Sequence, residues 1–393
     1  MKIFDKIKNE MGDWLKETRY WFHQHPELSK QEFETANKIE ETLKSFGFTV
    51  DRSFSKTSIV ASLKNGDSDK TIAFRTDMDA LPLKEENDFN YKSKNEGKMH
   101  ACGHDGHMTI VLGLAKYLSE NRNFNGTVIL IFQCAEEIGF GAQELINNGL
   151  FKKYKIDKMF AFHGMSNSST GGNLPEGALY FYSKTDAMMA AVRLFEAKFI
   201  GEGGHGSEPE NTIDAIPAAV EYVNSVYLIK NRMIPSINRS VLSVCNIQSG
   251  TATAANIIPD YCVVKGTLRT VDNPTLEKYE YELKNFADLT AQKHHLKVEY
   301  NIQGIDATIN NLELCAYAKA KAIEWFGNTM VGETKQVMGG EDFGLFGKHC
   351  PICLIFISTG ENVPIHNTKY DFRDTPVPYG VAFFAGLTED ILK

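Results

Sequence analysis

The stretch Met99-His100-Ala101-Cys102-Gly103-His104-Asp105-Gly106-His107 places one thiol and three imidazoles within nine positions, with two glycines that keep the backbone open. It precedes an apolar-periodic run (Met108, Val111, Leu112, Leu114, Ala115, Leu118) that predicts a helix. A thiolate near a helix N-terminus is favoured by the positive end of the macrodipole. With a neutral imidazole two residues on, it makes a good donor pair for a borderline-soft divalent cation. A metal site is therefore expected here, although the spacing does not choose the metal. No second Cys/His pair stands at the interval of a closed zinc finger.

Further chemically capable residues follow short apolar runs. Thr71-Ile72-Ala73-Phe74 leads into Arg75-Thr76-Asp77-Met78-Asp79, Thr127 to Phe132 leads into Gln133-Cys134-Ala135-Glu136-Glu137, and Met159 to Phe162 leads into His163. Runs of this kind, alternating with helical segments, predict an α/β fold with strands buried on both faces of a mostly parallel sheet. Ligands in such sheets sit beyond the carboxyl ends of the strands. Asp79, Glu136, Glu137 and His163 are thus expected to converge on Cys102 and His104. Successive side chains at a strand end point in different directions, so one of the paired glutamates can bind metal while its neighbour faces a substrate. His366, in a loop after a strand at 352–357, is a candidate to complete the set. His23 and His25, flanked by the Pro26 turn, are read as structural or as groups standing behind the ligands.

The elements that must position these groups begin with a helix from Lys2 to Trp21 and a second from about Gln31 to Phe46, ending at Gly47. The middle of the chain changes character. Ala190 to Gly201 reads as a strand, Thr212 to Ile229 as a helix, Ser240 to Ser249 and Tyr261 to Thr270 as strands, Pro274 to His294 as a helix and Leu296 to Gln303 as a strand. This βαββαβ order is the ferredoxin-like plan, a complete unit. An inserted domain is therefore expected at 187–303, within a sheet domain formed by 1–186 and 304–393. Ser166 to Gly172 is read as loop.

A chain of 393 residues is long enough for two domains. The net charge of -8, with no basic stripe, argues against a nucleic-acid partner and favours a small-molecule substrate. The N-terminus lacks the apolar core of a signal peptide and no run is long enough to span a membrane, so a cytoplasmic location is expected. Seven cysteines, an odd number, agree with a reducing compartment. Cys350-Pro351-Ile352-Cys353 has redox-motif spacing but runs straight into a strand, and is read as structural.

In order along nearly the whole chain, Arg75 to Pro82, Met99 to His107, Phe132 to Glu137, Gly203-Gly204-His205, Asn256-Ile257-Ile258-Pro259, Gly339 to Phe343 and His366 resemble the M20 metallopeptidase/amidohydrolase family. The branch matched is that of N-acyl-amino-acid amidohydrolases, with hippurate hydrolase, N-acetyl-diaminopimelate deacetylase and the auxin-conjugate hydrolases. The resemblance implies a metallohydrolase catalytic domain with an inserted lid or dimerisation domain. It implies two divalent cations (Mn, Zn, Co or Ni) bridged by Cys102 and held by His104, Glu137, His163 and His366. It further implies Glu136 as general base, Asp79 as the carboxylate that orients a ligand, and His205 as the histidine that reaches the substrate carbonyl, often across a dimer. Asn256 and Arg269 are implied to hold the substrate carboxylate. A homodimer or homotetramer through the inserted domain is the implied assembly.

The chain departs from the branch at Cys134, where proline is usual, at Ile365, at Gly206-Ser207 after His205, and in the proline-free loop Gly164 to Ser168. None of these removes a ligand. The implied reaction is hydrolysis of the amide of an N-acyl amino acid, in which Glu136 takes a proton from water and hands it to the departing nitrogen. A dipeptidase or carboxypeptidase with the same metals, and a non-catalytic binding or sensor protein, are the alternatives.

Overall fold

The computed structural model describes residues 2–251 and 253–393. The described residues form two units, one within 2–188, 308–337 and 342–393, the other within 189–307 and 338–341. No helix among the described residues is long and apolar enough to cross a membrane.

The first unit is built on an eight-stranded sheet. At its centre Gly126–Gln133, Thr71–Asp77, Lys158–Met165 and Ile352–Ser358 run parallel in that order. They are buried nearly throughout, as their unbroken apolar runs require. Ile59–Asn65 and Thr49–Asp51 extend one edge antiparallel, and Leu179–Phe181 with Val331–Glu333 closes the other. The third parallel strand is longer than its apolar run suggested, so His163 lies within it rather than after it. The helix His104–Glu120 begins inside the cysteine-histidine stretch, so His104 and His107 occupy one face of its first turn rather than a loop. Asn167–Thr170 is a helical turn closed by Gly171 in the left-handed region, which corrects the reading of 166–172 as loop. Two helices, Leu312–Phe326 and Pro376–Ile391, pack in the segment after residue 308, which had shown only its strand in the sequence.

The first helix, Lys2–Gln24, shows how a periodic stripe carries charge into the core. Ile7, Met11 and Leu15 are buried at intervals of four, and the same stripe buries Arg19 and His23. Both meet Asp105, in the first turn after the cysteine loop: Arg19 Nη1 donates at 3.3 Å and His23 Nδ1 at 2.8 Å. His23 Nε2 reaches Glu85 Oε1 at 3.1 Å, so both ring nitrogens donate to carboxylates. Burial disfavours the charged ring, yet Asp105 and Glu85 push His23 up to about 9. The stabilisation is present in full below the unfolded value near 6.5 and fades as pH rises through about 9. We expect the denaturant midpoint to fall across that window, by an amount on the order of 3 kcal/mol of stability. His23→Leu should be less stable at pH 6 and flat across it. An equally steep decline in the variant would remove His23 as the cause.

The second unit is a four-stranded antiparallel sheet in the order Lys297–Ile305, Ala191–Ile200, Tyr261–Thr270, Ser240–Ser249. Its helices are Ala215–Leu228 and Asn273–Lys293, capped by the Asp214 and Asp272 side chains. This is the βαββαβ plan, with the first and last strands at neighbouring positions.

Candidate metal centre

Because the four central strands run the same way, their carboxyl ends share one edge of the sheet. There Cys102, His104 and His163 offer ligand atoms within 4.8 Å of one another, as do Cys102, Glu137 and His366, and His104, Glu136 and Glu137. Cys102 thus belongs to two of these donor groups, with His163 Nε2 at 3.4 Å from its sulfur. Glu137 reaches both sides: Oε1 lies 3.8 Å from His104 Nε2, and Oε2 lies 3.6 Å from His366 Nε2. His366 comes in on a loop whose left-handed backbone is tied by its own N–H to the carbonyl of Ala101, at 2.7 Å.

Two of the inward-facing nitrogens, those of His104 and His163, are made available by a bond on the far side of the ring. His104 Nδ1 donates to the Asp79 carbonyl at 2.8 Å, and His163 Nδ1 donates to the Gly164 carbonyl at 3.0 Å. His107 is different. Its Nε2 accepts the Gly164 N–H at 2.7 Å and its Nδ1 donates to Asp77 at 2.7 Å, so its lone pair is committed. His100 is buried, is held neutral by burial at about 4, and takes no part in the donor groups. The glycines of the stretch serve close packing: a side chain at Gly103 would meet Phe372 and the Tyr370 hydroxyl, and one at Gly106 would overlap the Phe372 ring.

Asp79 does more than meet His104. Its Oδ1 accepts the N–H of Glu136 and its Oδ2 the N–H of Glu137, both at 3.1 Å, while the Ser29 hydroxyl donates to Oδ2 at 2.6 Å. Burial opposes its charge, but the hydrogen bond and charge of His104, with Ser29 and the Glu137 amide, hold Asp79 below the usual carboxylate range. Asp77, which the sequence did not single out, is pinned by His107 and by Arg75 Nη1 at 2.9 Å; Arg75 in turn donates to Asp342 at 2.9 Å. The available signal was a lone Arg and Asp at the end of an otherwise uncharged buried strand.

The donor set fits divalent cations. His104 Nε2 and Glu137 Oε1 are buried and face one another with no hydrogen-bond partner among the described residues. An imidazole and a carboxylate left in this way each need a third party. The electrostatics agree. Burial works against a charged ring, yet Asp77, Asp79 and Glu137 push His104 up to about 10; burial, only partly offset by His104, pushes Glu137 up to about 7. Burial and the neighbouring carboxylates also push the Cys102 thiol well up. Protons on these groups are what a cation would displace.

The remaining expected residues lie in the second unit. His205 is exposed on the short strand Gly204–His205, which pairs with Ile257–Ile258. Its Nδ1 accepts the Ser207 N–H at 3.2 Å, which leaves the proton of a neutral ring on Nε2. Asn256, just before Ile257–Ile258, lies against this turn, its carbonyl accepting the Gly206 N–H at 2.8 Å. Arg269 does not join them. Tyr261 pairs with Ile200 at the near end of the strand and Arg269 with Val192 at the far end. Arg269 is therefore roughly 26 Å away at ~3.3 Å per residue, with its Nη1 on the Thr267 hydroxyl at 3.1 Å. One unit does not bring Asn256 and Arg269 to the same carboxylate.

Known proteins resemble the chain over most or all of its length. Residues 73–390 match the family described as Peptidase family M20/M25/M40. The chain is 37% identical to hippurate hydrolase of Campylobacter jejuni over the full length of both, and 33% identical to a thermostable carboxypeptidase of Saccharolobus solfataricus over 94% of each. A crystal structure of a Bacillus subtilis protein described as a dinuclear metal binding peptidase superposes with a TM-score of 0.80 at 28% identity, covering 97% of this chain and 98% of that one.

Proposed function

The chain belongs to the peptidase family M20/M25/M40, and on that premise we propose that it hydrolyses the amide bond of N-acyl amino acids, releasing a carboxylic acid and a free amino acid. The observation that carries the reading is the pair of partnerless donors, His104 Nε2 and Glu137 Oε1, set beside Glu136 and the shared thiol of Cys102. Cys102, His104, Glu137, His163 and His366 would hold two divalent cations. Bound there, the cations would supply Lewis acidity to water and to the scissile carbonyl. A thiolate with imidazoles suits Zn, Co or Ni, with Mn also accommodated by the carboxylate.

The chain's own groups do the rest. Glu136 takes the proton from the attacking water and delivers it to the departing nitrogen. Asp79, bonded to the amides of Glu136 and Glu137 and through its carbonyl to His104, holds base and ligands in one frame. His205, with its proton on Nε2, donates to the oxyanion as the tetrahedral centre forms. Arg269 grips a carboxylate in a forked pair. Since Asn256 lies at the other end of the unit from Arg269, the two serve one carboxylate only if two copies supply them. That is the role we assign to a homodimer or homotetramer through the inserted unit. A cytoplasmic location fits the free state of all seven cysteines.

Hippurate is N-benzoylglycine, so the full-length relative of that name supports an N-acyl amino acid as substrate. The carboxypeptidase relative favours a second reading, peptide hydrolysis at the same centre. A panel of N-acetyl and N-benzoyl amino acids against dipeptides, run on cation-loaded protein with and without chelator, separates them. We expect chelator-sensitive release of amino acid from the N-acyl substrates at kcat/KM at least ~10-fold above the dipeptides. Faster turnover of the dipeptides replaces the first reading with the second.

A further inference from the structure

The turn that carries Glu136 is held at four consecutive amides by side chains from elsewhere in the fold. The N–H of Cys134 donates to the Ser58 hydroxyl at 3.0 Å, that of Ala135 to Glu32 Oε1 at 2.9 Å, and those of Glu136 and Glu137 to the two oxygens of Asp79. Asp79 has a second task at His104. Glu32 belongs to none of the donor groups, yet it is fully buried. It stands at the N-cap of the helix Phe33–Ser45, but its side chain makes no cap hydrogen bond there. Its other oxygen accepts the Thr57 hydroxyl at 2.8 Å. Burial and the nearby Asp79 push its carboxyl up to about 7, so the site is an unfavourable one for a group with no task.

The residue it holds is the strained one. Ala135 has a φ of +53°, in the left-handed region that a residue with a Cβ rarely adopts. Its carbonyl accepts the N–H of Phe140 at 3.1 Å, so the kink is braced on both sides of its Cα. Glu136 is the next residue, and the direction of its side chain follows from the backbone angles at 135. Strain of this kind persists where surrounding groups over-determine it.

We propose that Glu32 is a positioning residue for the base: by accepting the Ala135 N–H it holds the left-handed kink that aims the Glu136 carboxylate. The proposal rests on Glu136 being the base. What it requires of Glu32 is an acceptor oxygen at this place, not a negative charge.

Three variants test it, each assayed for kcat, KM and bound cation on the loaded enzyme. Glu32→Met keeps the volume and removes the acceptor, and kcat should fall ~30–100-fold with KM within about threefold and cation content at the parental level. Glu32→Gln, whose amide oxygen can still accept, should recover kcat to within about threefold of the parent. Adding Ala135→Gly to Glu32→Met should raise kcat again, since glycine takes the left-handed conformation without penalty; a merely structural role would make the double variant worse. Parental kcat in Glu32→Met, loss of cation in step with kcat, or a Gln variant as slow as the Met variant would each overturn the proposal. If Glu32→Met does not fold, Thr57→Val, which frees the carboxylate from its second anchor, should lower kcat several-fold, and a parental rate there counts against it equally. Glu136→Gln keeps the two readings apart: a fully active Glu136→Gln condemns the base assignment, whereas an inactive one beside a parental Glu32→Met condemns the positioning role alone.

Discussion

Glu136→Gln is expected to lower kcat by roughly 10³-fold while keeping its cations, because the amide is the same size as the carboxylate but cannot take up a proton. The backbone around it should not move. The N–H groups of Glu136 and Glu137 are bonded to Asp79, and Glu137, the neighbouring ligand candidate, is untouched. The loss should therefore fall on the chemical step, with KM little changed. Steady-state kinetics together with elemental analysis of the purified variant decide the matter. Hydrolysis at the parental rate would mean that the proton of the attacking water leaves by another route.

Cys102→Ala should have an effect of similar size through a different cause. The thiol is the donor shared by two groups, one with His104 and His163 and the other with Glu137 and His366. Removing it takes a donor atom from both groups at once and leaves His163 Nε2 without its neighbour at 3.4 Å. We expect cation affinity to fall at least ~100-fold, more than the loss typical of disturbing a residue behind a ligand, and activity to fall with it. Cys102→Ser should lie between, as a harder and less readily ionised donor. The same metal-to-protein ratio in parent and alanine variant, measured after dialysis against a weak chelator, would exclude Cys102 as the bridge.

The two variants also show which parts of the centre could be read along the chain. Cys102, His104 and the paired glutamates are close in sequence or directly follow an uncharged strand, so residue type and local spacing pointed to them. The ferredoxin-like order of the insert was legible for a similar reason: each of its elements has its own period, and the order of periods defines the topology. The C-terminal helices were less visible. Pro376–Ile391 is apolar on nearly every side, as suits a helix packed within the first unit, and this erases the amphipathic stripe.

Residues whose role depends on distant partners could not be read in this way. Glu32 stands about a hundred positions from the amide it accepts, and nothing in its neighbourhood separates it from a solvated glutamate. Asp77 and Asp79 are alike in sequence, yet one is bonded to His107 and Arg75 and the other to the amides of Glu136 and Glu137. His107 matches His104 in type and lies one helical turn away, but the Gly164 amide takes its lone pair. Asn256 and Arg269 looked like partners until strand register separated them. By itself, then, the sequence determined the donor types, the parallel sheet and the inserted unit, because these follow from chemistry and periodicity within short windows. Which nitrogen is free, which carboxylate is committed and which amide is held were decided only by the tertiary structure, because a hydrogen bond satisfies one partner at a time and its choice depends on what the fold brings within about 3 Å.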